Sequence, residues 1–262
     1  MSRILFLLLI FSHSVFATTK VLSWNIQNFG LSKSDANFQF IASVMKPYDI
    51  IVIQEVNASY SGSQAVAKLV NCLNKLGSDW DYAVSNPTIG KGIERYAYIW
   101  KKSVKLLGKP YLYTPFQYTI DREPYMATFV HQKDTFTIAN IHLVPKHKKP
   151  ELEIIQLYQL AALKNQHIVI AGDFNCPHFN TCFDKLYAYH FKHALLKTAT
   201  TLKMKPKNGS HLASMYDNFY YEKNEIIAVS PTCIDFSVQF SSLIEARRIS
   251  DHLPISISLS LK

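Results

Sequence analysis

The sequence is short of acid, of glycine and of long hydrophobic runs, and each shortage narrows what the protein can be. Only 19 Asp and Glu stand against 28 Lys and Arg in 262 residues, a formal charge of +9. A surplus of that size favours an anionic partner, nucleic acid or an acidic membrane surface, without choosing between them. Eight Gly and eleven Pro exclude a collagen-like chain, and 48% hydrophobic content excludes intrinsic disorder. Four Cys are too few for a small disulfide scaffold. No C-x-x-C pair with matching His spacing marks a zinc site. No internal repeat or low-complexity linker divides the chain, and beyond the N-terminus no segment is apolar enough to span a bilayer.

The N-terminus has the pattern of a secretory signal peptide. Arg3 supplies a short positive region, Ile4 to Phe11 are apolar, and Val15-Phe16-Ala17 fits a cleavage site after Ala17. The apolar run falls well short of the roughly 20 residues of a membrane anchor. Removal of residues 1–17 predicts a secreted or periplasmic protein with no anchor, of charge +8 once Arg3 is subtracted. Export would permit disulfides, and four cysteines allow three pairings. Cys176 and Cys182 flank a short polar loop and are the candidate pair; Cys72 falls on an apolar helical face.

What remains, residues 18–262, predicts one α/β domain. Continuous β-branched runs suit strands buried on both faces: Val21–Ile26, Ile50–Gln54, Tyr96–Trp100, Met126–Val130 and Phe136–His142. His167–Ala171, Phe219–Tyr221, Ile234–Phe240 and Ile255–Leu259 read the same way. Helical patterns cover Asp35–Met45, Ser63–Leu76 and Glu151–Lys164, the second with a stripe of Val66, Leu69, Val70 and Leu73. Pro150 and Glu151 suit the first turn of the third helix.

Polar residues of catalytic type gather at the ends of these strands, where α/β folds collect function. In order they are Trp24-Asn25-Ile26-Gln27, Gln54-Glu55, Glu94-Arg95-Tyr96, Asn140-Ile141-His142, Gly172-Asp173-Phe174-Asn175, Met215-Tyr216-Asp217 and Ser250-Asp251-His252. An acid at one strand end is usually only solvated. Seven such fragments in succession call for a site.

These fragments resemble the endonuclease/exonuclease/phosphatase superfamily, and within it the deoxyribonuclease I-like branch. WNIQNFG, YDIIVIQEV, ERYAYIW, REP, NIHLVP, GDFN, MYDN and SDHLP follow that branch in order and approximate spacing, from Val21 to Leu259. The resemblance implies a four-layer α/β sandwich, two packed mixed sheets flanked by helices. It also implies a monomer that hydrolyses DNA phosphodiesters with a divalent metal.

The chemistry of the residues agrees. Hydrolysis near pH 7 needs water deprotonated, the leaving oxygen protonated and phosphate charge neutralised. His142 and His252 suit the proton transfers because imidazole titrates near 6.5. By resemblance Glu94 pairs with His142 and Asp217 with His252. Magnesium, or calcium or manganese in its place, takes oxygen donors. The resemblance places Glu55 and Asn25 at one divalent site, and Asp173, Asn175 and Asp251 in a second cluster. Asn175 there also touches the phosphate. Arg122, in REP, resembles a phosphate clamp.

Three positions depart from the branch. Gln27 and Asn57 stand where it has arginines on the DNA backbone, and Gly92 where it has a minor-groove tyrosine. Asn57 keeps only a polar contact to offer the substrate. Lys146, Lys148 and Lys149, just after the His142 strand, could restore phosphate contacts or form a solvated loop. Lys203–Leu212 holds no acid, so no structural calcium is expected there. The leading expectation is a secreted metal-dependent endonuclease on DNA with little sequence preference. The alternative is a phosphoesterase of the same superfamily acting on RNA or on a phosphoinositide or other phospholipid. A non-catalytic binder would have no use for both histidines and every candidate ligand.

Overall fold

The computed structural model describes residues 18–163 and 166–262. The expected signal peptide, residues 1–17, lies outside the described residues. Fourteen strands run in chain order among them. They begin with β1 (Thr19–Phe29), β2 (Ile50–Val56), β3 (Trp80–Val84), β4 (Arg95–Lys101), β5 (Lys105–Leu112), β6 (Tyr125–His131) and β7 (Asp134–His142). The rest are β8 (Ile168–Asp173), β9 (Phe191–His193), β10 (Leu202–Lys207), β11 (Ser210–Leu212), β12 (Asp217–Glu222), β13 (Ile226–Cys233) and β14 (Ile255–Leu261). One six-stranded sheet has the order β13-β14-β1-β2-β4-β3 and the other β5-β6-β7-β8-β12-β9, with β10-β11 a separate hairpin. Both sheets are mixed: β1 pairs parallel with β2 and antiparallel with β14, and β7 pairs parallel with β8.

Strand alternation sorts the side chains into three cores. Val21, Ile50, Val52, Tyr98, Phe129, Ile138, Ala171 and Phe219 meet between the sheets. Outward residues of the first sheet, such as Leu22, Trp24 and Ile51, pack under helices α1 (Asp35–Met45) and α2 (Tyr60–Lys75). Outward residues of the second, such as Ile141 and Ile170, pack under α3 (Glu151–Ile154), α4 (Asp184–Ala188) and their flanking turns. The layers are helix, sheet, sheet, helix, as expected. Helix α1 forms where its pattern says, capped by Ser34 and burying Phe38, Ile41, Ala42 and Met45 at helical spacing.

Two expected elements differ. Ile234–Phe240 is not a strand: Asp235 accepts from the Ser237 N–H and hydroxyl and bends the chain into a 3-10 turn. The strand there is the preceding β13, whose Pro231 is tolerated because β13 lies on a sheet edge. The third helix breaks after Ile154 into a 3-10 segment, Leu157–Ala162. In its first turn Glu153 points inward, where its carboxylate accepts from the Asp121 and Val144 N–H groups.

Candidate active site

The inter-sheet core changes character at one end. Rows that are apolar for most of each strand finish in polar residues: Val21-Ser23-Asn25, Val52-Gln54, Ile138-Asn140-His142, Ala171-Asp173 and, from the other direction, Phe219-Asp217. Beneath the surface Gln54 donates to Asn140 Oδ1 at 2.7 Å and to Ser23 Oγ at 3.2 Å. Asn140 in turn donates to Ile53 O at 3.0 Å. This polar layer, with Gln54 Oε1 alone left unpartnered in it, joins the sheets and carries the site above it.

Two histidines flank one carboxylate. His142, ending β7, meets both Glu94 oxygens with Nδ1 at 3.0 Å. His252, in the turn before β14, meets Asp217 Oδ2 with Nδ1 at 2.8 Å. With each Nδ1 occupied, the Nε2 atoms face Asp173 Oδ2, at 3.5 Å from His142 and 3.6 Å from His252. Asp173 is held by Asn25, which donates to Oδ2 at 3.1 Å, and by the Asn175 N–H on Oδ1 at 2.8 Å. Asn175 also donates to Leu143 O at 3.0 Å, fixing the turn after β8 to the end of β7. Gly172 lets those strands approach: a Cβ there would meet Ile141 O at 2.0 Å.

Both histidines are raised, by different surroundings. Burial opposes a proton on His252, yet Asp217, Asp173 and Asp251 outweigh it and lift its pKa to about 10. Burial also opposes charge on His142; Glu94 raises it, the Arg122 cation works against that, and the net direction is up. Asp217 is raised by burial and by Asp173, and restrained by His252 and by the Thr200 hydroxyl.

The remaining candidates divide. Glu55, Asn57, Glu94, Arg122 and His142 line one cleft of about 490 Å³. Glu55 sits in a left-handed conformation (φ 58°) and accepts from the Asn28 N–H at 2.8 Å. Asn25 hydrogen-bonds within the Asp173 group. Its Oδ1 is buried with no hydrogen-bond partner, an oxygen donor free for a cation beside Asp173. The carboxylates and amides present therefore fit a hard divalent ion. Asp173, Asp217 and His252 also lie close enough to share a metal, but the short Asp217–His252 contact marks those two as a proton-sharing pair. Asp251 is taken up by Gln27 at 3.0 Å and Arg247 at 3.3 Å.

Arg122 is spent differently from a simple clamp. It is 8% exposed, and its Nε and Nη2 donate to the carbonyls of His142 (2.7 Å) and Leu143 (2.5 Å). Nη1 stands 3.6 Å from Glu94. At Gly92, where the branch has a tyrosine, a Cβ would stand 2.7 Å from Asp121 Oδ2 and 3.0 Å from Arg122 Nη1, so those side-chain ends would have to shift to admit one. Asn57 is exposed and caps Ser59 N–H at 2.9 Å. Lys146, Lys148 and Lys149 are exposed on a 3-10 turn four to seven residues past His142. Cys176 and Cys182 are adjacent, as expected, but as free thiols with sulfurs 3.8 Å apart, too far for a bond.

Some participants escaped the sequence. Thr200 donates to Asp217 Oδ2 at 2.6 Å, and the Tyr96 hydroxyl accepts from the His142 N–H at 3.1 Å. Lys33, 9% exposed, donates to Ile249 O at 2.7 Å and Arg248 O at 3.2 Å. Burial lowers its pKa to about 8, against the pull of Glu55 and Asp251. Only Tyr96 carried a signal, its place in ERYAYIW.

Two histidine–carboxylate pairs around a shared aspartate, at the open end of a double sheet, define an acid–base site of the phosphoester-processing type. A model of the Endonuclease/Exonuclease/phosphatase family matches residues 22–252, and the chain belongs to that family. It is 27% identical to Deoxyribonuclease-1-like 1 of Chlorocebus aethiops, over 99% of this chain and 89% of that protein. With Deoxyribonuclease-1 of Oryctolagus cuniculus it shares 24% identity over 94% of each. The fold matches the human Nocturnin catalytic domain, solved with a bound sulfate, at a TM-score of 0.67 and 17% identity over 94% of each chain.

Proposed function

We propose that the protein is an exported, divalent-metal-dependent endonuclease that hydrolyses DNA phosphodiesters with little sequence preference. In this reading residues 1–17 are a signal peptide and residues 18–262 act as one monomeric domain. The observation that carries it is the placement of both Nε2 atoms about 3.5 Å from one Asp173 oxygen. A phosphate seated over Asp173 lies within reach of two imidazoles whose Nδ1 atoms are already fixed. One takes a proton from water and the other gives one to the leaving oxygen. Glu94 and Asp217 hold the tautomers and stabilise the imidazolium forms.

Asp173, Asn25, Asn175 and Glu55 would hold magnesium, with Asp251 joining them only by giving up Gln27 or Arg247, and the ion would offset phosphate charge as it builds. Arg122 positions His142 and Glu94, and keeps one guanidinium nitrogen toward the cleft. Asn175 and Asn57 are polar contacts for the substrate, and Lys146, Lys148 and Lys149 offer charge to its backbone.

One observation favours a second reading, a phosphoesterase on RNA or on a phosphoinositide or other phospholipid. Gln27 is committed to Asp251 and Gly92 offers no side chain, which removes grips on duplex DNA. Supercoiled plasmid, RNA and phospholipid vesicles, each with magnesium and then with chelator, separate the readings. Nicking of plasmid only with magnesium is expected; exclusive turnover of vesicles or RNA would replace the first reading with the second.

A further inference from the structure

The cleft continues beyond Asn28, which also lines a second hollow of about 410 Å³. This hollow lies between the entry to α1 and helix α5 (Leu243–Ile249). Its wall holds three cations, Lys33, Arg247 and Arg248, and no carboxylate; the rest is amide and hydroxyl. The cations are held differently. Lys33 is buried and pinned to the carbonyls that end α5. Arg247 is tied to Leu202 O at 2.7 Å and to Asp251. Arg248 is exposed, and its guanidinium has no hydrogen bond or ion pair among the described residues.

Three positive groups around one hollow repel one another; Asp251 pairs with Arg247 and acts with Glu55 on Lys33, so Arg248 is the cation left without a partner among the described residues. Lys33 and Arg247 brace the fold, but no contact among the described residues employs the Arg248 guanidinium, and a third cation there only adds to the repulsion. A phosphate would resolve it. Arg248 supplies a planar fork suited to phosphate oxygens, Lys33 a fixed positive floor, and the neutral amides and hydroxyls the remaining donors.

We infer that this hollow is a phosphate subsite for the nucleic-acid strand flanking the scissile bond, with Arg248 as its contact residue. The inference rests on the nuclease reading above. It places the grip on the substrate backbone on α5, since Gln27 is occupied with Asp251.

The test uses the mature chain with His142→Ala as a binding-only background and a fluorescent 20-base-pair duplex titrated at several KCl concentrations. Adding Arg248→Ala should weaken binding severalfold and flatten the slope of log affinity against log salt by roughly 0.9, one phosphate contact. Arg248→Lys should restore the slope. In the catalytically intact chain, Arg248→Ala should lower kcat/KM on the duplex at least fivefold more than on bis(p-nitrophenyl) phosphate, which is too small to reach the hollow. An unchanged slope, or equal losses on both substrates, would overturn the subsite while leaving the nuclease reading intact. If the parent chain binds neither DNA nor RNA but binds phosphatidylinositol-phosphate vesicles through Arg248, the nucleic-acid ligand is wrong and the reading beneath it fails too.

Discussion

The two histidine pairs share a plan and differ in their surroundings. His142 is held symmetrically by both oxygens of Glu94, with the Arg122 cation 3.6 Å from that carboxylate. His252 is held by one oxygen of Asp217, with a neutral hydroxyl, Thr200, as the second support. An arginine beside the first pair tempers the pull of the carboxylate. The second has an arginine only at one remove, Arg247 on Asp251, and three carboxylates act on one imidazole and lift it to about 10. The same pairing of residue types thus stands in two electrostatic settings, one beside a cation and one among three carboxylates. A reaction needing both a proton acceptor and a proton donor can use two imidazoles placed in different surroundings.

The largest expected effect breaks both pairs in turn. His142→Ala and His252→Ala should each lower plasmid nicking by about 100- to 10,000-fold, the range for a positioned acid or base. Excess chelator should do comparable harm. Circular dichroism checks that each variant is folded; near-normal nicking by either would remove that histidine from the chemistry.

Next in size is a stability effect specific to His252. Its pKa in the folded chain lies above the unfolded value of about 6.5. The stabilisation is therefore whole below pH 6.5 and fades as pH rises through about 10. The shift from 6.5 to about 10 bounds the contribution at about 5 kcal/mol. Urea unfolding of the chelated protein at pH 6.5, 8 and 10 should show the advantage of the parent over His252→Ala shrinking at each step. A constant gap would mean that the Asp217 pair does not carry the charge.

Arg122→Gln tests the asymmetry itself. Losing the cation should let Glu94 raise His142 further, so the limb of the pH–rate profile set by His142 moves to higher pH. Turnover should fall by roughly tenfold, because the carbonyls of His142 and Leu143 lose charge-assisted donors. A lower rate with an unmoved limb would leave Arg122 as a structural brace only.

Much of this was legible in the sequence, for a definite reason. Strands buried on both faces are continuous apolar runs, so the points where the runs stop at Asn25, Gln54, His142 and Asp173 mark the polar end of the core. Edge strands were not legible. β5 is largely exposed and carries Gly108 and Pro110, and β13 carries Pro231, so neither has a buried pattern to read. Support residues were equally hidden. Thr200 and Lys33 act through contacts to residues 16 to 17 and more than 200 positions away, and no local spacing encodes such contacts.

The smallest effect probes the lesser support of the second pair. Thr200 Oγ1 donates to Asp217 Oδ2 at 2.6 Å and accepts from the Asp217 N–H at 3.1 Å and the Tyr216 N–H at 3.2 Å. Thr200→Val keeps the shape and removes the oxygen. It should cost about 1–2 kcal/mol of stability, the scale of a buried hydrogen bond with partners left unpaired. Its kinetic effect should be a few-fold loss in kcat with little change in KM, since Thr200 acts on the pair and not on the substrate. Thr200→Ser, which retains the hydroxyl, should recover most of the rate. If serine fails as badly as valine, the hydroxyl by itself does not account for the loss, and the packing of the methyl group is needed to hold it against Asp217.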